Sequence, residues 1–170
     1  MKYYTLIFLV LYLVGCQNSN IYTLDNTVNI VDVNNYNQSV IKYGEAPVLI
    51  LGGKLVSNSS LKKIYQDLKA DYAHIECNLV NEMKPKGSID IKNEFSNNKE
   101  FILEFDLEFC AENDPNHRSC VSNINELKEK LTSDLSCKII FGGMTKPKTI
   151  VSNSYTMKRV DMVAASKFIP

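Results

Sequence analysis

The amino-acid sequence predicts an α+β domain in which two helices pack on one face of a mostly antiparallel sheet. Three observations favour this fold class. Apolar residues alternate with mainly charged residues over residues 101–110, which is typical of a half-buried strand. Two other segments, one after residues 57–60 and one from Asn123, repeat their apolar residues at helical spacing. From residue 48 onward the resulting order, β, α, β, β, β, α, β, β, groups several strands side by side.

The two predicted helices are defined by their start signals and by one apolar stripe each. The first follows a cluster of N-cap candidates at 57–60 and ends at Ala70. The second begins at Asn123, where Glu126 makes a capping-box-like start and is expected to pair with Lys130. The stripes are Leu61, Ile64, Tyr65 and Leu68 in the first helix, and Ile124, Leu127, Leu131 and Leu135 in the second.

The strands are predicted from apolar runs and period-two alternation, at 27–33, 48–51, 72–80, 88–95, 101–110, 137–141 and 149–157. The glycine pairs at 52–53 and 142–143 follow apolar runs and are interpreted as the ends of buried strands. Residues 34–39 are predicted to be a loop. Pro85 and Gly87 are expected to end the strand that begins at Tyr72.

Acidic side chains are concentrated on the outward face of the predicted strand 101–110. A hairpin turn at 96–100 would bring the preceding strand beside this face, with Lys92 opposite Glu104 and Asp90 opposite Asp106. The predicted acidic surface consists of Asp90, Glu104, Asp106 and Glu108. Such a row would suit a hard cation, but alternating charge on a wet face produces the same pattern. We therefore interpret it as a solvated or partner-facing surface and predict no metal site.

The histidines do not indicate an enzyme. His74 shares a strand face with Glu76, and His117 lies in the loop between Cys110 and Cys120. Two isolated histidines make neither a catalytic triad nor a tetrahedral metal set. We predict a non-catalytic protein with no catalytic residues, and an unrecognised hydrolase is the remaining enzymatic alternative.

Charge and composition exclude several other classes of function. Lys and Arg number 19 and Asp and Glu number 19, so the formal net charge is zero. A nucleic-acid-binding protein would show a basic excess, which this balance lacks. Residues 48–60 contain a strand, a glycine pair and a helix start, which is the layout of a phosphate-binding loop. The residue spacing of such a loop is absent, because Lys54 follows the glycines directly. No nucleic acid, nucleotide or cofactor is predicted as a ligand.

The N-terminal residues have the features of an export signal. Lys2 supplies a positive start, and residues 6–14 form an apolar run shorter than the about 20 residues of a membrane-spanning helix. The run ends in Leu13-Val14-Gly15-Cys16, which resembles the lipobox of bacterial lipoproteins. In that family the cysteine is acylated and the signal peptide is removed in front of it. The alternative is a buried N-terminal helix with an incidental cysteine.

The lipobox resemblance, combined with the fold predicted above, divides the chain into three segments of a lipoprotein of a Gram-negative bacterium. They are a signal peptide at 1–15, the lipidated Cys16 with a polar tether at 16–26, and a single periplasmic α+β domain at 27–170. Gln17 favours the outer membrane in the sorting rules of that family. We therefore expect the acylated Cys16, carrying palmitate-type chains, to hold the domain on the outer membrane, facing the periplasm.

Four cysteines remain besides Cys16, and an even number in an exported chain predicts two disulfide bonds. Cys110 and Cys120 bracket a short loop, so closing a bond between them is sterically easy. Cys77 lies on the apolar face of its strand whereas Cys110 falls on the opposite face, which disfavours a bond between these two. We predict Cys110–Cys120 and Cys77–Cys137, with the alternative that Cys77 and Cys137 are reduced and separately buried.

Residues 68–77, a helix end leading into a strand and a cysteine, are similar to part of the RcsF family of envelope-stress sensor lipoproteins. That family has a small α/β domain with two disulfides, and the resemblance implies a sensor role. Two functions therefore compete. The favoured hypothesis is a non-catalytic interaction domain with a protein partner in the cell envelope, as an accessory of an envelope or secretion assembly. The alternative is an envelope-stress or redox sensor whose disulfides set its signalling state.

Overall fold

The computed structural model describes residues 22–112, 114, 117–143 and 146–167, and the predicted lipobox and Cys16 lie outside them. The described residues form these elements in chain order: β1 (Tyr22–Val28), β2 (Ile30–Tyr43), β3 (Ala46–Ser57), α1 (Leu61–Asp67), β4 (Tyr72–Cys77), β5 (Met83–Ile89), β6 (Phe95–Asn97), β7 (Glu100–Ala111), α2 (Ile124–Lys130), β8 (Leu135–Gly143), β9 (Lys146–Ser152), β10 (Tyr155–Met157), α3 (Arg159–Val163) and β11 (Ser166–Lys167). β1 thus begins inside the segment predicted to be a tether.

The predicted α+β class is wrong, because the described chain is a large sheet with only short helices attached to it. Helices α1 and α2 contain 7 residues each and α3 contains 5. They are too short to cover one face of the sheet. The second apolar stripe was longer than its helix because Leu131 is the C-cap of α2 and Leu135 is already the first residue of β8.

Two segments predicted to be loop or turn are instead strands. Residues 34–39 lie inside β2, where Asn37 pairs with Gly52 and Ser39 with Ile50 of β3. Pro85 and Gly87 lie inside β5, which runs between β4 and β7. Pairing with neighbouring strands overrides the weak intrinsic β propensity of these polar, proline and glycine residues.

The strands follow the order β1-β9-β8-β4-β5-β7-β3-β2-β11 in one sheet, with β10 attached to β8 and β6 to β7. Only the pairs β1–β9 and β11–β2 are parallel among the described strands. β1 lies at one end of this order and β2 lies next to the other end, where β11 pairs with it, although Asn29 alone separates β1 from β2 in the chain. The sheet therefore closes on itself through one continuous stretch of backbone.

Asn153, which follows β9, holds this closure together. Its side-chain oxygen accepts a hydrogen bond of 2.9 Å from the backbone N–H of Ile30. Its own N–H donates a bond of 3.1 Å to the carbonyl of Val28. The Asn58 side chain accepts from the N–H of Asn29 between these two residues, at 3.1 Å.

The closed sheet surrounds the main hydrophobic core. β7 contributes Leu103, Phe105, Leu107 and Phe109, none of them more than 3% exposed, as the alternating pattern predicted. Each helix adds one buried side chain: Leu61, Leu127 and Met162. The helices therefore complete the margins of the core, and the sheet itself encloses most of it. No helix among the described residues combines the length and apolar character needed to span a bilayer.

The glycine pair at 52–53 lies inside β3 and does not end it, contrary to its interpretation from sequence, whereas β8 does end at Gly143. Gly53 lies inside β3 opposite Phe105, and a Cβ on it would come within 2.7 Å of the Phe105 ring. Gly142 lies inside β8 opposite Tyr72, and a Cβ there would meet the Tyr72 hydroxyl at 2.4 Å. These glycines leave room for aromatic rings from the neighbouring strands.

Candidate functional site

Both predicted disulfides are confirmed. Cys77 and Cys137 lie directly opposite each other on β4 and β8, and their sulfurs are bonded at 2.04 Å. Cys110, at the end of β7, is bonded to Cys120 at 1.98 Å. The first bond belongs to the main core, whereas the second belongs to a smaller cluster with Val48 on the outer side of β3.

A groove crosses the outer face of the sheet and ends beside the Cys110–Cys120 bond. It consists of two adjoining depressions of about 490 and 530 Å³ that share Lys86 and Glu108. We call it the outer-face groove, and its main polar and aromatic side chains are Tyr43, His74, Lys86, Asp106, Glu108 and His117.

Strand register explains why charged side chains meet in this groove. On the outer face, Glu108 of β7 lies directly opposite Lys86 of β5, and Lys86 lies opposite Glu76 of β4. In the next row Asp106 lies opposite Ser88, which lies opposite His74. The alternation that buries one face of each strand therefore presents a mixed polar surface on the other.

His117 forms one end of the groove. Its ring stacks on Tyr43, with centroids 4.1 Å apart and planes 12° from parallel. Its Nδ1 atom lies 3.5 Å from Glu108 Oε2, 3.8 Å from the sulfur of Cys110 and 3.7 Å from the sulfur of Cys120. The imidazole is thus held against a carboxylate and a disulfide at the same time.

Backbone hydrogen bonds hold the segment after His117 in place. The N–H of Val121 donates to Phe109 of β7 at 2.8 Å, and the N–H of Leu49 of β3 donates to Val121 at 2.7 Å. Ser119 donates from its backbone and from its hydroxyl to Asp114, each at 2.5 Å. Cys120 is therefore fixed between two strands even though a loop precedes it.

His74 lies at the opposite end of the groove, beside another carboxylate. Its Nε2 atom is 3.0 Å from Glu76 Oε1, and the Lys148 ammonium is 3.4 Å from the same oxygen. Burial alone would raise the pKa of Glu76, but the His74 hydrogen bond and the Lys148 charge outweigh it. The pKa of Glu76 therefore lies below its usual value, and the carboxylate is charged at neutral pH.

Two opposite charges inside the groove lack partners. Neither the Lys86 side chain nor the Asp106 side chain makes a hydrogen bond or salt bridge with any residue that the structure describes. Partial burial, together with repulsion from Glu104, raises the pKa of Asp106 above its usual value. Ile41 and Tyr43 border the same space, with 38% and 44% of their surfaces exposed.

The four residues of the predicted acidic surface do not form one surface in the structure. Asp106 and Glu108 line the groove, and Glu104 faces outward on the same strand opposite Lys54. Asp90 does not lie opposite Asp106, because Ser88 occupies that position. The Asp90 carboxylate instead accepts hydrogen bonds within its own turn, from the backbone N–H groups of residues 92 and 93 and from the Asn93 side chain. The predicted hairpin register is therefore wrong.

No family model, curated protein or solved structure matches this chain.

The arrangement is suited to binding and to thiol chemistry. Opposite charges beside exposed apolar and aromatic groups are what a protein partner contacts. Ser88 lies opposite His74, but no hydrogen bond joins their side chains in the described part of the chain, so the nucleophile–base contact typical of hydrolases is not formed. The disulfide beside His117 is the group that thiols can react with.

Sequence reasoning missed that both histidines face one groove. They are brought there by the pairing of β4 with β5 and of β5 with β7, which no local pattern encodes. The one visible signal was the spacing Cys110-x6-His117-x2-Cys120.

Proposed function

We propose that this protein is a lipid-anchored lipoprotein of the outer membrane whose non-catalytic domain docks a protein partner of the cell envelope through the outer-face groove. The observation that carries the docking role is the pair of uncommitted charges, Lys86 and Asp106, facing the groove beside exposed Ile41 and Tyr43. The partner is a polypeptide segment of an envelope or secretion assembly. It presents a carboxylate to Lys86 and a cation to Asp106.

The composition of the groove supports a polypeptide partner. Interfaces commonly place an aromatic anchor at a desolvated centre and charge-complementary groups around it. Tyr43 is held by its stack on His117, so little side-chain entropy is lost when a partner covers it. Lys86 and Asp106 give the orientation in which the partner docks.

The anchor is supported by the lipobox resemblance and is tested separately. Cys16→Ser should leave uncleaved, larger precursor in cells and abolish labelling by radioactive palmitate. A chain that stays labelled after this substitution would contradict the lipoprotein assignment without affecting the groove.

Docking is tested by placing a photo-crosslinking amino acid at position 43 in cells. One adduct of defined mass should form, disappear in Lys86→Glu, and persist in Lys138→Glu. Lys138 is the matched control, because it is an exposed lysine in the same outward row but outside the groove. A crosslinker at Phe95, which is 63% exposed elsewhere on the molecule, should give no such adduct. The same adduct from both positions, or its persistence in Lys86→Glu, contradicts docking in this groove.

A redox-sensing role is the second candidate, and one observation favours it. The Cys110–Cys120 bond adjoins the groove, so its oxidation state can alter the docking surface directly. Replacing both of these cysteines by serine should change envelope-stress output at unchanged protein abundance. If abundance falls and output per molecule stays constant, the disulfide is structural.

A further inference from the structure

Three soft ligand atoms converge where the outer-face groove meets the loop after β7. The sulfurs of Cys110 and Cys120 and Nδ1 of His117 all lie within 4.8 Å of one another. In the disulfide form the two sulfurs are bonded to each other and are poor metal ligands. After reduction the same atoms are two thiolates and an imidazole, which is a zinc-binding set.

We propose that reduction of the Cys110–Cys120 bond converts this end of the groove into a Zn²⁺ site, with Cys110, Cys120 and His117 as ligands and Glu108 as the fourth. The proposed zinc site goes beyond docking and does not depend on it. It also goes beyond redox sensing, because it assigns a ligand, Zn²⁺, to the reduced form of the protein.

The distances around His117 already match those of a tetrahedral zinc site. With Zn–S bonds of about 2.3 Å and Zn–N bonds of about 2.0 Å, the sulfur and nitrogen ligands lie about 3.6 Å apart, and nitrogen and oxygen ligands about 3.4 Å apart. His117 Nδ1 is 3.8 and 3.7 Å from the two sulfurs and 3.5 Å from Glu108 Oε2. Two changes are needed: the two sulfurs separate to about 3.8 Å after the bond is cleaved, and the Glu108 carboxylate, which lies outside the group formed by the other three ligands, moves toward the sulfurs.

The ligands are carried by backbone that is held in place. Cys110 and Glu108 belong to β7, and Val121 ties the segment that follows Cys120 to both β3 and β7. Stacking on Tyr43 fixes the plane of the His117 ring while its Nδ1 edge faces the sulfurs. Ligands that need little reorganisation bind a metal more tightly.

The redox step balances with a dithiol as the reductant. The dithiol delivers two electrons and two protons, the S–S bond of Cys110 and Cys120 breaks to give two thiols, and the dithiol becomes a disulfide. Zn²⁺ then displaces the two thiol protons into solvent. Reoxidation by a small disulfide reverses the sequence and releases Zn²⁺.

The other disulfide does not take part. Cys137 is fully buried and Cys77 is only 6% exposed, and both belong to the main core. Cys110 and Cys120 are also buried, with 8% and 7% of their surfaces exposed, but Cys110 lines the groove. The groove therefore gives a reductant a path to Cys110–Cys120 first.

The test uses the full-length chain purified in detergent. The chain is reduced without oxygen by a phosphine that is then removed, titrated with Co²⁺ and finally with Zn²⁺. We expect one equivalent of Co²⁺ with thiolate-to-metal charge-transfer absorption, displacement by Zn²⁺, and no such band in the oxidised chain. Circular dichroism follows the sheet throughout.

Matched variants assign the ligands. His117→Asn should weaken Zn²⁺ binding at least about tenfold, and asparagine tolerates the positive φ of 54° at this position. His74→Gln removes the histidine at the other end of the groove and should leave the affinity unchanged. Replacing Cys110 and Cys120 by serine should abolish the charge-transfer band.

Three results would overturn the zinc site: equal Co²⁺ spectra before and after reduction, reduced protein that takes up no metal, or equal Zn²⁺ affinity in His117→Asn and His74→Gln. The last result also covers a reduced chain that unfolds, because thiols in an unfolded chain bind metal without regard to one particular histidine. None of these results affects the crosslinking experiment at position 43.

Discussion

Asp106 faces the outer-face groove beside Glu104, and this position determines how it responds to pH. Partial burial and the neighbouring carboxylate raise its pKa above the usual value of 3.8. An acid whose pKa is higher in the folded chain than in the unfolded chain destabilises the fold when it ionises. Its contribution to the free energy of unfolding is therefore present at low pH and is lost as the pH rises through the folded-state pKa.

Asp106→Asn should remove this pH dependence. Because the side chain remains solvent-accessible, we expect a gain of less than about 1 kcal/mol at neutral pH and none below the usual aspartate pKa. Urea unfolding of parent and variant across the acidic range measures the difference. As a control, Glu104→Gln should lower the pKa of Asp106 in a carboxyl NMR titration. Identical pH profiles of parent and Asp106→Asn would contradict this assignment.

Gly53 makes room for a core side chain. A Cβ at this position would lie 2.7 Å from the ring of Phe105, which is only 3% exposed and cannot move away freely. Gly53→Ala should lower the free energy of unfolding by about 1–3 kcal/mol through overpacking. In a Phe105→Leu background the cost of the same substitution should be smaller, which a double-mutant cycle measures. Equal costs in both backgrounds would mean that Phe105 is not the obstacle.

The cysteines and the glycines differ in how well their positions could be predicted from the sequence. Strand parity placed Cys77 and Cys110 on opposite faces, and the observed disulfides agree with it. The glycine pair at 52–53 was misinterpreted, because glycine beside an apolar run looks the same whether it ends a strand or accommodates a ring from another strand. Only the register reveals the ring, and register is a property of two strands.

The start of helix α2 was predictable from its N-cap residue and the glutamate that follows it. The Asn123 side chain accepts hydrogen bonds from the N–H groups of Asn125 and Glu126, at 3.0 and 3.1 Å. The expected ion pair between Glu126 and Lys130 is formed at 2.7 Å. Glu126 reaches back to Ser122 instead of to the N-cap residue itself.

Asn123→Ala should lower the free energy of unfolding by about 1 kcal/mol, because two N–H groups at the helix start lose their acceptor. Thermal or urea unfolding measures the change. Asn123→Asp retains an acceptor and should be close to neutral. If alanine and aspartate behave alike, the cap does not stabilise the folded chain.

The strands were harder to predict than the helix starts. Strand β7 was evident from its alternation, which is a local signal of one buried face. β2 was predicted only in part, because residues 34–39 in its middle are mostly polar and its pairing with β3 makes them a strand. β5 was hidden for a similar reason, since Pro85 and Gly87 indicate a turn unless the neighbouring strands are known. The groove could not be predicted, because it depends on the order of five strands.

In the molecule as a whole, two asparagine side chains accept backbone hydrogen bonds at the point where the sheet closes. Asn153 accepts from the N–H of Ile30, which is only 7% exposed, whereas Asn58 accepts from Asn29 at an exposed position.

Asn153→Ala should lower the free energy of unfolding by about 1–3 kcal/mol, since the buried N–H of Ile30 would be left without an acceptor. Asn58→Ala should cost clearly less, because water can replace its side chain. Chemical denaturation of both variants compares the two, and equal costs would show that closure does not depend on Asn153.

The closure of the sheet also has a kinetic consequence. Ile30 and Asn153, which meet at the closure, are 123 residues apart in the chain. A ribosome delivers β1 first and β9 nearly last, so the nascent chain has to wait for its C-terminal third before its first strand finds a partner. Long-range contacts of this kind slow folding and leave strand edges open in the meantime. We therefore expect slow refolding, and a nascent chain that stops short of β9 to be a substrate for holding chaperones.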